Sequence, residues 1–182
     1  CIDNAIRYGS SRLIINSGKA PPKKSDIERG YINLENSWEE LAEYIKRDFN
    51  NDDFVISMEP CDSTMMAENL SGPTDKAVEL CDRLYQRQIP AAITMDIAHI
   101  VEEGEMVKEA LQISEKYCDH IHFANCIISN KNHELYGDCH PTFDLPGSEF
   151  PFSELEKTYS LLSKIYKEKQ IYIGIEYLCR VD

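Results

Sequence analysis

The side chains in this sequence best suited to bind a divalent cation or move a proton come in a definite order: Glu59, Asp96 with His99, His122, Asp138 with His140, and Glu176. Glu59, Asp96, His122 and Glu176 each end a short apolar run. The runs are Val55 to Glu59, Ala91 to Asp96, His120 to His122, and Ile171 to Glu176. A mixed carboxylate and imidazole set suits Mn, Co, Zn or Fe(II), whereas a soft thiolate set selects other metals. A single glutamate at a strand end is most often a solvated rim residue. Four potential ligands ending successive runs are harder to dismiss, and they predict a metal centre.

Further candidates surround this set. His99, just past a strand in Asp96-Ile97-Ala98-His99, can bind a second ion or polarise a substrate oxygen. His120 shares a sheet face with His122 if the strand is regular, so either histidine can be the ligand. Asp138-Cys139-His140-Pro141 places Asp138 and His140 in a long loop, where they can supply two ligands or close over a substrate; an ordinary Asp/Gly turn explains the pattern equally well. Cys139 has no partner at zinc-finger spacing, so a structural zinc site is not expected.

The elements that must carry these residues alternate between strand and helix. A strand is expected over Arg12 to Asn16, then a polar loop from Lys19 to about Glu35. Ser37 and Glu40 have capping-box spacing ahead of a helix running to about Phe49. A strand follows at Phe54 to Glu59, then a helix capped by Thr74. Next come a strand at Ala91 to Asp96, a helix over roughly Gly104 to Tyr117 and a strand at His120 to Ala124. The loop from Ile127 to Phe150 leads to a second capping box at Ser153 and Glu156. The stripe Leu155, Tyr159, Leu162 and Tyr166 should face the core, and Ile171 to Tyr177 forms the last strand. In an α/β barrel such strands converge at their C-terminal ends, where active sites are built. Five strands, or six if the long loop hides one, are fewer than the eight of a complete barrel. The chain thus reads as a single partial domain over residues 1–182, a barrel lacking its first two strands and last helix.

At 182 residues and 42% hydrophobic, the chain can bury a sizeable core. Its apolar runs are strand-sized, so no membrane span or signal peptide is expected. Seven cysteines without a CxxC pair suit a reducing cytoplasm. A net charge of −13 repels nucleic-acid backbones and anionic membranes, so nucleic acid is not the expected partner.

Taken together, ISMEP at Glu59, MDIAH with Asp96 and His99, HIHFAN with His122, GDCHP with Asp138 and His140, and GIEYL with Glu176 resemble a known superfamily. It is the xylose isomerase-like barrel superfamily, in its sugar phosphate isomerase/epimerase branch, to which endonuclease IV is related. The resemblance runs from about Ile2 to Leu178. It implies a (β/α)8 TIM barrel in which the opening helix is the second. It also implies a divalent ion (Mn, Co, Zn or Fe) held by Glu59, Asp96, His122 and Glu176, with His99 near the substrate. In epimerase-like members the two glutamates straddle a sugar or sugar phosphate and move protons next to a carbonyl, while the ion stabilises the enediolate charge. Glu59, Glu176 and His99 are therefore the catalytic candidates.

Two departures stand out. Endonuclease IV-like members carry a histidine where this chain has Asn16-Ser17-Gly18, and sugar epimerases often place an arginine where Asn125, Cys126 and Ile127 follow His122. Three readings stay open: a sugar isomerase or epimerase, a metal-dependent phosphodiester hydrolase, and a non-catalytic barrel that binds carbohydrate or protein. An exposed barrel edge makes a homo-oligomer a further expectation.

Overall fold

The computed structural model describes residues 1–178. Its elements are α1 (Ile2–Arg7), β1 (Arg12–Ile15), a 3₁₀ turn (Lys24–Asp26), α2 (Ile27–Phe49), β2 (Val55–Met58), α3 (Thr74–Gln86), β3 (Ala92–Asp96), α4 (Ile97–Glu103), α5 (Val107–Ser114), β4 (Cys118–Phe123), α6 (Phe152–Ile165) and β5 (Tyr172–Ile175). The five strands are parallel and lie in sequence order, β1-β2-β3-β4-β5. They form a curled half-barrel with helices between the strands, part of the α/β barrel that the alternation predicts.

Strand alternation sorts the side chains into two environments. Ile56, Met58, Ile93, Met95, Ile121 and Phe123 are buried among the helices. Ser57, Thr94, Asp96, His120 and His122 take the opposite face, which lines the barrel interior, and Ser57 Oγ and Thr94 Oγ1 meet there at 2.7 Å. A register shift between Ile93 and Thr94 pairs Thr94 with His120 and Asp96 with His122, which brings Asp96 and His122 level. At the other end of the lumen, the Arg12 guanidinium donates twice to Asp119, with Nη2 to Oδ2 at 2.7 Å. That pair ties β1 to β4 across the floor.

Several elements differ from expectation, each for a tertiary reason. The stretch expected as loop up to Glu35 is already helical from Ile27. Gly30 and the charged residues hide the pattern, but Tyr31, Glu35, Trp38 and Ile45 form its buried stripe. Glu35 can be buried because Arg83 reaches it at 2.6 Å, and the Tyr31 hydroxyl donates to the Leu70 carbonyl at 2.7 Å. Ser37 is therefore mid-helix and caps nothing. Nor do Ser153 and Thr74 cap their helices, since Pro151 and Pro73 occupy the cap positions. The carboxylate of Glu105 accepts from the Thr74 backbone N–H instead, at 2.9 Å.

The single helix expected over Gly104 to Tyr117 is two shorter ones. Gly104, with φ of +81°, closes α4, and α5 starts only at Val107. Met106 and Ile113 are exposed; of the stripe expected to face the core, Tyr159 is exposed as well, whereas Leu162 and Tyr166 are buried. Among the described residues the long loop adds no sixth strand, only an isolated bridge between Ile127 and Gly137. β1 and β5 are the edge strands, and β5 leaves Tyr172, Ile173 and Ile175 exposed. No helix among the described residues is long and apolar enough to cross a membrane.

Candidate metal centre

Both glutamates sit one residue beyond their strands, and a continued ladder bond holds each backbone. The Glu59 N–H donates to the Ile15 carbonyl at 2.8 Å, and the Glu176 N–H to the Phe123 carbonyl at 3.0 Å. Asp96 ends β3 and caps α4, its Oδ1 accepting from the N–H groups of Ala98 (2.7 Å) and His99 (3.2 Å). Its other oxygen, Oδ2, is thereby left free to face the lumen. His122 stands on β4 between them. Gly174, opposite it on β5, gives the ring room, since a Cβ there would lie 3.3 Å from His122 Cδ2.

One ligand atom from each of Glu59, Asp96, His122 and Glu176 lies within 4.8 Å of the others. His122 Nδ1 is the hub, 2.8 Å from Glu59 Oε1, 3.0 Å from Glu176 Oε2 and 3.7 Å from Asp96 Oδ2. One ring nitrogen carries at most one proton and cannot satisfy several carboxylate oxygens. Asp96 Oδ2 is buried with no hydrogen-bond partner. Donor atoms about 2.0–2.2 Å from a common ion lie roughly 3 Å apart, close to the spacings here. Three carboxylates and an imidazole so arranged fit a divalent cation, which would satisfy the orphaned oxygen.

The electrostatics agree. Burial pushes the Asp96 carboxyl up to about 6, despite the nearby histidines. Burial also works against ionisation of Glu59, but the hydrogen bond and charge of His122 outweigh it and hold Glu59 below the usual carboxylate range. His122 is correspondingly raised: burial opposes its charge, and the Glu59 hydrogen bond and surrounding carboxylates more than compensate.

A second group adjoins the first and shares Asp96 with it. Asp96, His99 and His140 form one buried triplet, and His99, Glu102 and the half-buried Asp138 another group. His140 Nε2 is 3.1 Å from Asp138 Oδ1 and 3.9 Å from Glu176 Oε1. The His99 and His140 rings lie 5.4 Å apart. Asp138, Cys139 and His140 thus reach the mouth. His140 has a φ of +39°, an uncommon conformation for a non-glycine residue. His120 stays deeper, in T-shaped contact with His122 at 4.7 Å, its own Nδ1 buried and unpartnered.

Sequence reasoning missed three contributors. Glu102 is buried beside His99, with Oε2 at 3.1 Å from Nδ1. The three-residue spacings Asp96, His99, Glu102 were the available signal. Cys61 is buried just past Glu59, and its thiol donates to the Glu59 carbonyl at 3.8 Å. Asn125 pins the long loop: its Nδ2 donates to the Thr142 carbonyl (3.0 Å) and Ser148 Oγ (2.8 Å), and its Oδ1 accepts from the Phe150 N–H (2.8 Å).

No protein-family model matches this sequence, and no curated protein matches it. Solved structures do. An AP endonuclease, family 2, from Brucella melitensis is 14% identical with a TM-score of 0.67, over 100% of this chain and 60% of that one. A D-allulose 3-epimerase from Methylomonas sp. is 13% identical with a TM-score of 0.61, over 98% and 54%. A 3-keto-D-glucoside 4-epimerase from E. coli is 16% identical with a TM-score of 0.59, over 90% and 51%. This chain shares their α/β barrel fold and spans only about half to three-fifths of their length.

Proposed function

We propose that this chain carries the site of a divalent-metal-dependent isomerase or epimerase acting on a small sugar, sugar phosphate or related hydroxy-carbonyl compound. The observation that carries this reading is the convergence of Glu59, Glu176 and the unpartnered Asp96 Oδ2 on His122 at the C-terminal strand ends. The sugar epimerases among the similar structures support it.

Glu59, Asp96, His122 and Glu176 would hold the ion. When bound, a divalent ion supplies stabilisation for negative charge developing on neighbouring substrate oxygens. Proton movement belongs to the chain. Glu59 and Glu176 come from strands on either side of β4, so a carbon lying between them has one carboxylate to take its proton and another to return one. Glu59, held ionised beside His122, has the protonation state a base needs. His99, in the adjoining group, is placed to donate to or accept from a substrate oxygen.

Elemental analysis combined with proton exchange tests this reading. Metal-loaded protein incubated in D2O with a panel of ketoses and their phosphates should incorporate deuterium next to the carbonyl. It should also contain about one ion per chain. A protein that takes up no ion and exchanges no proton would sink the proposal.

One observation favours a second reading, a metal-dependent phosphodiester hydrolase. His99, Asp138 and His140 stand beside the first group with the chemistry to hold further ions. Two or three ions per chain, with cleavage of abasic-site DNA and no proton exchange, would establish that reading in place of the first.

A further inference from the structure

Glu102 is a buried carboxylate for which the chemistry above has no task. Its side chain is fully shielded from solvent. Oε2 meets His99 Nδ1 at 3.1 Å, and Oε1 has no hydrogen-bond partner. A half-satisfied carboxylate is costly to bury. An apolar residue at this place on α4 would avoid that cost.

Its surroundings hold it still. Asp96 caps the start of α4, Gly104 closes its end, and the next residue, Glu103, is tied to the Ser63 N–H (2.6 Å) and hydroxyl (2.7 Å). His99 and Glu102 are three residues apart on this short helix, so their side chains lie on one face. Asp138, the other acid of the triplet, is engaged by His140 at 3.1 Å, which leaves Glu102 as the acceptor beside His99 Nδ1.

We infer that Glu102 is a positioning residue for His99: by accepting the Nδ1–H it fixes the ring's orientation and presents Nε2 toward the substrate side. A histidine whose Nδ1–H is committed to a carboxylate acts through Nε2. The inference deepens the proposed function, since the use of Nε2 rests on that reading; the Nδ1–H contact itself does not.

Long-range 1H–15N correlation spectra of protein labelled with 15N-histidine test it, with His99 assigned through a His99→Asn variant. The wild type should show a protonated His99 Nδ1. Glu102→Gln, whose side-chain carbonyl can accept the same N–H, should keep that pattern. Glu102→Leu should lose it while the His122 signals stay in place. A wild-type spectrum with Nδ1 unprotonated would overturn the inference without any variant, and so would a Leu variant with an unchanged His99. The spectra need no substrate, so they decide the role of Glu102 whether or not the sugar reading survives.

Discussion

Glu59 and Glu176 meet at a single atom. They extend β2 and β5, on either side of β4, and their carboxylates lie 2.8 Å and 3.0 Å from the same His122 Nδ1. Two carboxylates crowd one ring nitrogen there, and the buried Asp96 Oδ2 has no hydrogen-bond partner. A divalent cation relieves this frustration, and the first expectation follows from it.

Wild-type protein should bind one Mn, Co or Zn ion tightly, and Glu59→Ala/Glu176→Ala should lose it. Disturbing outer-shell partners alone costs about 10–100-fold in affinity, so removing two ligands should cost more. Titration calorimetry reads this directly. Thermal melts give an independent check, because an ion at about 100 times its dissociation constant adds about 2.7 kcal/mol of stability.

Glu176→Gln should abolish turnover far more than it weakens folding. The Glu176 side chain is nearly half exposed, so little packing is lost. A positioned acid or base contributes about 10²–10⁴-fold. A variant with near-wild-type rates in the D2O exchange assay would remove Glu176 from the mechanism.

Gly174 should be intolerant of a side chain for the sake of its neighbour. A Cβ there stands 3.3 Å from His122 Cδ2 and 3.6 Å from His120 Nε2. Gly174→Val should push the His122 ring and weaken metal binding by about 10–100-fold. The overpacking itself should cost about 1–3 kcal/mol. Unchanged metal affinity would show that the ring has room to yield.

Asp62 gives a pH signature independent of the metal residues. Burial pushes its carboxyl up, but backbone N–H groups of Thr64, Met65, Met66 and Ala67 outweigh that and hold it below the usual range. With the folded value below the unfolded one, its stabilisation is present above the unfolded pKa of about 4 and is lost as pH falls through the lower, folded value. Asp62→Ala should cost about 1–3 kcal/mol and flatten this part of the acid limb. Hydrogen-exchange protection at Met65 to Ala67, taken relative to the intrinsic rate at each pH, should fall in the wild type as pH drops below about 4 and be low throughout in the variant.

Much of the fold was legible because strands announce themselves locally. Ile56, Met58, Ile93, Met95 and Ile121 alternate with polar residues and are buried as that alternation requires. The helices were less legible. α2 begins at Ile27, ten residues before Ser37, and its buried Glu35 is balanced by Arg83, which lies 48 residues further along the chain and outside any local window. Tyr159 fits a helical stripe by spacing and is nonetheless exposed, since periodicity names a face without saying what covers it.

The sequence by itself determined the alternation of strand and helix, the order of the carboxylates and imidazoles, and their places at strand ends, because these follow from short-range pattern and turn chemistry. Only the tertiary structure decided that Asp96 Oδ2 is left without a partner, that His122 Nδ1 is the common hub, and that Glu102 is buried behind His99. Those facts depend on which atoms meet across the curled sheet, and distances between residues far apart in the chain are set by register and packing.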